Sequence, residues 1–224
     1  MTKHLKIFMP PQIIPAILAH EPEEARQKIH LVQDAVRWVQ LDVMDGKFVK
    51  NTTWADPTLI KTWKVKPWIE LHLMVNDPAT YIRSWRAIKN FKRAIWHIEA
   101  PVDHARLIAQ CHRQKLETGL AISPETPVAA LVPFLRKLDT VLILGVHPGW
   151  SGQKLIPATL KKIDALKQLA PKLPLGFDGG VENRNAYSLA KRGVTYLYVG
   201  SAIFKQRDPA SFIKKLQAKL VRQP

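Results

Sequence analysis

A set of ionisable side chains interrupts otherwise apolar runs at intervals along the chain: Asp42 and Asp45, His72, His97 and Glu99, His147, and Asp178. Carboxylates and imidazoles brought to one centre from separate elements are what a divalent-metal site or a paired acid and base require, since each element supplies one group. Glycines mark a second kind of chemistry. They cluster in Pro148-Gly149-Trp150-Ser151-Gly152, Asp178-Gly179-Gly180 and Gly200-Ser201, each directly after an apolar run. Backbone N–H groups in such turns, with no side chain in the way, cradle phosphate oxygens. The same glycines also suit plain strand-to-helix turns that need positive φ.

Short apolar runs alternate with longer amphipathic ones throughout, which is the pattern of repeated βα units around a parallel sheet. Strands are expected at 13–18, 38–44, 68–74, 94–99, 118–122, 140–146, 175–178 and 195–200. Helices are expected at 23–36, 57–63, 78–88, 103–114, 128–135, 157–169, 184–191 and 209–220, several opening on proline where its missing N–H costs nothing. Runs such as Val141-Leu142-Ile143-Leu144 fit strands covered on both faces. Eight such units, with no Gly-rich turn after the first strand, predict a closed (β/α)8 TIM barrel of the α/β class over 1–224 as a single domain. The polar residues above then fall at the C-terminal ends of strands, where this fold builds its sites.

The composition agrees with a packed enzyme-sized core. Apolar residues make up 46% of the 224 and charged residues 23%, and Cys111 is the single cysteine, which excludes an intrachain disulfide and points to a reducing, cytoplasmic setting. The stretch 6–19 is apolar enough to suggest a signal peptide, but Pro10, Pro11 and Pro15 interrupt it; it reads as a lead-in and a strand. No run approaches the roughly 18 apolar residues of a membrane span. The net charge of +16 attracts anions. Its lysines and arginines are spread over helices, among them Lys161, Lys162, Lys167, Lys214 and Lys215, and no nucleic-acid module accompanies them, so no specific nucleic-acid partner is expected.

The ordered segments Ile14-Pro15-Ala16-Ile17-Leu18, Leu41-Asp42-Val43-Met44-Asp45-Gly46, Leu71-His72-Leu73-Met74-Val75, His97 with Glu99-Ala100, Pro148-Gly149 with Gly152-Gln153, Asp178-Gly179-Gly180-Val181 and Gly200-Ser201-Ala202-Ile203-Phe204 resemble the ribulose-phosphate 3-epimerases of the pentose phosphate pathway. The resemblance covers nearly the whole chain. It implies a small phosphorylated sugar as substrate and interconversion of D-ribulose 5-phosphate and D-xylulose 5-phosphate. One aspartate would remove the C3 proton to give a metal-stabilised cis-enediolate, and the other would return a proton to the opposite face. By position Asp42 and Asp178 match that pair and, with His72, the metal ligands. Met44 and Met74 match pocket methionines, and Gly149, Gly152, Gly179, Gly180, Gly200 and Ser201 fall in the expected phosphate cradle. The metal would be zinc, or manganese, magnesium or iron, and the family suggests a homo-oligomer assembled through the barrel exterior.

The chain departs from that pattern inside the site. Gln40 stands where the family has its other histidine ligand, and Ala16 where it has an early serine. An amide carbonyl is a poorer zinc ligand than imidazole, although harder cations accept oxygen more readily. Leu144 replaces a third methionine, Lys50 a proline and Ser151 a glycine. Three readings follow: an epimerase with weakened or altered metal use, its coordination completed by His147 or a water; an enzyme of a related ketose phosphate; or a sugar-phosphate-binding paralogue without turnover. Among the rest, Asp45 is expected to shape a turn, His97 and Glu99 to form a structural pair, and His4, His20, His30, His104 and His112 to lie at the surface. Trp63, Trp85 and Trp96 are expected in the core, and Trp150 is placed to cover the substrate.

Overall fold

The computed structural model describes residues 11–222. His4 and the lead-in before position 11, and the outermost parts of the 1–224 domain, lie outside the described residues. Eight parallel strands close into a barrel in sequence order: β1 (Gln12–Ile17), β2 (Trp38–Met44), β3 (Trp68–Met74), β4 (Phe91–His97), β5 (Glu117–Ile122), β6 (Thr140–Leu144), β7 (Leu175–Asp178) and β8 (Tyr196–Val199), with β8 pairing β1. The helices are α1 (Pro22–Val32), α2 (Pro78–Trp85), α3 (His104–Arg113), α4 (Leu160–Leu169), α5 (Ala186–Lys191), α6 (Ser201–Phe204) and α7 (Pro209–Arg222). The fold is the expected TIM barrel.

Two expected helices are not formed. The segment 57–63 keeps only a 3-10 turn at Ile60–Thr62, and Lys64, at φ 50, turns the chain away from a helix. The segment 128–135 is split into 3-10 turns at Val128–Leu131 and Leu135–Lys137, because Pro133 between them lacks the N–H that a continuous helix needs. Other differences are at ends: α1 stops at Val32, α2 at Trp85 and β6 at Leu144, and β4 ends at His97, leaving Glu99 in the following turn. The one-turn α6 directly after β8 was not anticipated.

The strand period of two sorts the side chains between two cores. One set, including Ile13, Ile17, Val39, Leu71, Leu73, Trp96, Leu120, Ile143 and Phe177, packs outward against the helices together with Trp63 and Trp85. The other fills the barrel: Ile14, Ala16, Trp38, Ile95, Ala121, Leu142, Leu144, Tyr196 and Tyr198. At the N-terminal end of that interior Arg93 is buried against Glu70 as an ion pair, with its guanidinium 4.2 Å from the Trp38 ring and 4.5 Å from that of Tyr196. This plug closes one end, so the open end is the one where strands deliver polar residues.

Candidate active site

On β2 the inward positions are Trp38, Gln40, Asp42 and Met44; on β3 they are Trp68, Glu70, His72 and Met74, and the two strands pair residue for residue. Asp42 therefore stands beside His72 and Gln40 beside Glu70, while Ala16 of β1 neighbours Gln40 and Asp178 of β7 neighbours Leu144 of β6. This register brings Asp42, His72 and Asp178 together although they are far apart in sequence. Their ligand atoms all lie within 4.8 Å of one another. His72 Nδ1 is 3.0 Å from Asp42 Oδ1 and 3.7 Å from Asp178 Oδ2. The Gln40 amide sits beneath them, with Nε2 donating to Asp42 Oδ1 at 3.0 Å and to Asp178 Oδ2 at 2.8 Å.

Charge in this cluster does not balance. Burial raises the Asp178 pKa, and the neighbouring Asp42 charge raises it further, to about 7. Burial opposes a charge on His72, but the hydrogen bond to Asp42 and the charges of both aspartates outweigh it and raise its pKa. Two carboxyl groups and one imidazole in a nearly closed space are a fitting donor set for a divalent cation.

The cavity above the cluster is lined by Ala16, Asp42, Met44, His72, Met74, Leu144 and Asp178 at its floor, and by Gly149, Trp150, Ser151, Gly152, Gly179, Gly180, Gly200 and Ser201 at one side. Every pocket residue singled out from the sequence thus faces one space. Gly180 has φ 69, and a Cβ there would meet the Leu155 backbone nitrogen at 2.6 Å, so only glycine fits. Gly152, at φ 79, has nothing within 4 Å of a notional Cβ and leaves its backbone open to the cavity. The loop carrying it is pinned by Gln153 Nε2, which donates to the His147 carbonyl at 2.7 Å and the Trp150 carbonyl at 2.9 Å, and by Asn51 Nδ2, which donates to the Gly149 carbonyl at 2.8 Å. Trp150 is exposed at the rim. Lys205, one turn beyond Ser201, lines the same cavity and escaped the sequence reading; its spacing from Gly200-Ser201 was the available signal.

Some expectations need correcting. His147 borders the cavity, but its Nδ1 is 3.0 Å from Glu125 Oε1 at the exposed rim, and it is not part of the cluster. His97 and Glu99 form the expected pair, Nδ1 to Oε2 at 3.2 Å, yet they are not merely a strand-end pair: His97 Nε2 is 3.0 Å from His72 Nε2. Glu99 also accepts from Ser123 N at 2.9 Å and from Thr126 Oγ1. Burial pushes the Glu99 pKa up, but the His97 hydrogen bond and charge prevail and bring it to about 2; His97 is lowered by burial and by its neighbour His72. A line of hydrogen bonds thus runs from the cluster through two imidazoles to a carboxylate, so that His72 can present Nδ1 to the cavity while Nε2 is held from behind. Asp45 shapes its turn, accepting from Lys47 N, Phe48 N and Asn76 N, each at 2.8 Å. His20, His30 and His112 are exposed, and half-buried His104 accepts from Trp96 Nε1 at 3.0 Å. No helix among the described residues is long and apolar enough to cross a membrane.

Residues 12–204 match the profile of the Ribulose-phosphate 3 epimerase family. The chain is 30% identical over 217 residues to the ribulose-phosphate 3-epimerase of Schizosaccharomyces pombe, covering 94% of each, and 36% identical over 186 residues to that of Treponema pallidum, covering 80% of this chain and 84% of the other. Among solved structures it resembles 3-hexulose-6-phosphate synthase from Salmonella typhimurium, with a TM-score of 0.73 at 15% identity over 95% of this chain and 100% of that one, a likeness of fold.

Proposed function

Because the chain belongs to the ribulose-phosphate 3-epimerase family, we propose that it inverts C3 of a ketopentose 5-phosphate, interconverting D-ribulose 5-phosphate and D-xylulose 5-phosphate, with Asp42 and Asp178 as the two proton-transfer groups. The observation that carries this is the pair of carboxyl groups bridged by one amide nitrogen at the floor of the cavity that the glycine turns also line.

A proton next to a carbonyl is weakly acidic, and inversion needs a base on one face of the carbon and an acid on the other. In the cation-free protein burial and the Asp42 charge raise the Asp178 pKa, so the two neighbouring carboxyl groups differ in their hold on a proton, as an acid and base pair requires. In one direction the ionised aspartate takes the C3 proton and its partner delivers one to the opposite face; the reverse reaction exchanges the roles. Asp42, His72 and Asp178 would hold a divalent cation, with zinc, manganese, magnesium and iron as candidates, and His97 and Glu99 would orient the His72 ring. When bound, such a cation would supply positive charge to the oxygens of the substrate as negative charge develops there. The backbone of Gly149, Gly152, Gly179, Gly180, Gly200 and Ser201 would hold the phosphate, with Lys205 adding a cation at the same side. Met44, Met74, Leu144 and Ala16 keep water from the reacting carbon, and Trp150 would lie over the bound sugar.

The test is exchange of the C3 proton of ribulose 5-phosphate in deuterated water, with added zinc, manganese or magnesium. Exchange with formation of xylulose 5-phosphate is the expected result. Binding of the pentulose phosphate without exchange under any of these metals would overturn the proposal in favour of a binding protein, and exchange with a hexulose phosphate alone would reassign the substrate.

A further inference from the structure

Gln40 is fully buried, and its amide is satisfied on one side only. Nε2 donates to both aspartates, while Oε1 has no hydrogen-bond partner. Beside it on β3, at the paired register position, Glu70 is equally buried; its Oε2 is held by Arg93, and its Oε1 also lacks a partner. Two unpaired acceptors at neighbouring interior positions are a costly arrangement that a single donor placed between them would relieve. Arg93 Nη2 and the Tyr198 hydroxyl are buried donors without a partner, and the NH2 group of Gln40, engaged on the other side, is a third donor on the strand next to Glu70.

This orientation follows from charge. An ionised carboxylate with no cation beside it is met by N–H, because a carbonyl oxygen facing it would be repelled. A divalent cation bound by Asp42, His72 and Asp178 reverses the argument, since an N–H group aimed at it would be repelled and a carbonyl oxygen attracted. The terminal amide torsion of glutamine is broad and roughly two-fold, so the same side chain can present either atom with little displacement of its carbons.

Resting on the reading of Asp42, His72 and Asp178 as a cation site, we propose that Gln40 is a reversible amide ligand. Without a cation, its Nε2 ties the two aspartates together. When a divalent cation binds, the amide turns over, Oε1 becomes the fourth donor and Nε2 turns to Glu70. The resulting set of three oxygens and one nitrogen suits oxygen-preferring cations such as Mn²⁺ better than a set with two imidazoles would. Binding must also break two N–H···O hydrogen bonds, which weakens the site for every cation and lets the protein hold its aspartates in place without one.

The experiment compares Mn²⁺ and Zn²⁺ binding by calorimetry in the wild type, Gln40→Leu and Gln40→His, with melting curves as the check on folding. The side-chain amide signals of Gln40 in the wild type are followed by ¹⁵N NMR on addition of Zn²⁺, which is diamagnetic. The expected results are an approximately 10- to 100-fold loss of Mn²⁺ affinity in Gln40→Leu, a rise in the Zn²⁺-to-Mn²⁺ affinity ratio in Gln40→His, and displacement of the Gln40 NH2 resonances at saturating Zn²⁺. Mn²⁺ binding by Gln40→Leu as tight as that of the wild type, or unmoved NH2 resonances in saturated wild type, would overturn the proposal. Cation binding by Gln40→His but not by the wild type would remove the role of glutamine and leave the cation site standing. A folded Gln40→His that binds neither metal would remove the cation site itself.

Discussion

Both ends of the barrel interior bury charge, and they do so in opposite ways. At the N-terminal end the Arg93 guanidinium, between the Trp38 and Tyr196 rings, pairs with buried Glu70 and also reaches exposed Glu117 at 3.4 Å, and Glu70 holds its pKa above the already high value of arginine despite burial. At the C-terminal end two aspartates share one histidine and one neutral amide, and Asp178 is left with a pKa of about 7. Matched charge makes a plug that resists change of protonation. Mismatched charge makes a place where a proton or a cation changes hands. Both ends are built on the same eight strands; the pairing of side chains decides which end can react.

The comparison predicts that substitutions at the two ends divide activity from stability. Asp42→Asn and Asp178→Asn are each expected to cut C3 proton exchange by about 10³- to 10⁴-fold, roughly 4–5.5 kcal/mol of activation free energy, while the melting temperature of the cation-free protein is unchanged or higher, because one of two repelling charges is gone. A fall in melting temperature would show the aspartates to be structural and erase the contrast. Arg93→Met is expected to cost about 3–5 kcal/mol of stability in urea unfolding, since it strands Glu70 as a buried, unpaired charge. The double variant Glu70→Leu with Arg93→Met should recover most of that loss, because the penalty belongs to the stranded partner. If Arg93→Met alone is neutral, the plug is not a matched pair in any energetic sense.

The sequence reveals the reactive end more readily than the plug. Asp42 and His72 stand out as ionisable residues late in mostly apolar strands and Asp178 as one at a strand end before Gly179-Gly180, and the period of two carries them to one face. Glu70 and Arg93 sit mid-strand in different elements, and nothing local says that they meet; their partnership depends on the register of β3 against β4, which shifts between Ile69 and Glu70. The contact of His97 with His72 was hidden for the same reason, although Glu99, two residues on, was visible as its other partner. The missing helix at 128–135 is a different kind of error: the apolar spacing is helical, but Pro133 outweighs it. The bonding of Gln40 could not be read either, since its contact to Asp178 spans the barrel.

The line from His72 to Glu99 sharpens the contrast, because it is a matched arrangement built onto the mismatched end. His97→Phe keeps an aromatic ring beside Phe48 but removes the support behind His72. It is expected to weaken divalent-cation binding about 10- to 100-fold, or roughly 1.4–2.7 kcal/mol, in a calorimetric titration, and to leave inorganic phosphate binding at the glycine turns unchanged. Equal losses in both would mean that the substitution disturbs the whole end of the barrel and not the orientation of one ring.

The smallest expected effect is a pH dependence that only the reactive end can generate. In the cation-free protein the Asp178 pKa is raised to about 7 from the ordinary carboxylate value of 3.8. The folded chain therefore holds this proton more tightly than the unfolded chain does. The resulting stability is fully present below the unfolded pKa and is lost as pH rises through 7. Between pH 6 and 8 the loss is roughly 1.4 kcal/mol, equivalent to a fall in melting temperature of about 3–6 °C for a domain of this size. Melting curves in the presence of a chelator should fall more steeply in the wild type than in Asp178→Asn, whose amide does not titrate and which keeps only the slope of His72, raised by its hydrogen bond to Asp42. Arg93 at the other end contributes nothing to the slope, because its charge persists throughout this range. A saturating divalent cation should flatten the wild-type curve as well, since a positive charge between the aspartates keeps Asp178 ionised on both sides of neutrality. If the slope is as steep in Asp178→Asn as in the wild type, the proton being lost belongs to another group, and the two ends differ in composition without differing in the way proposed.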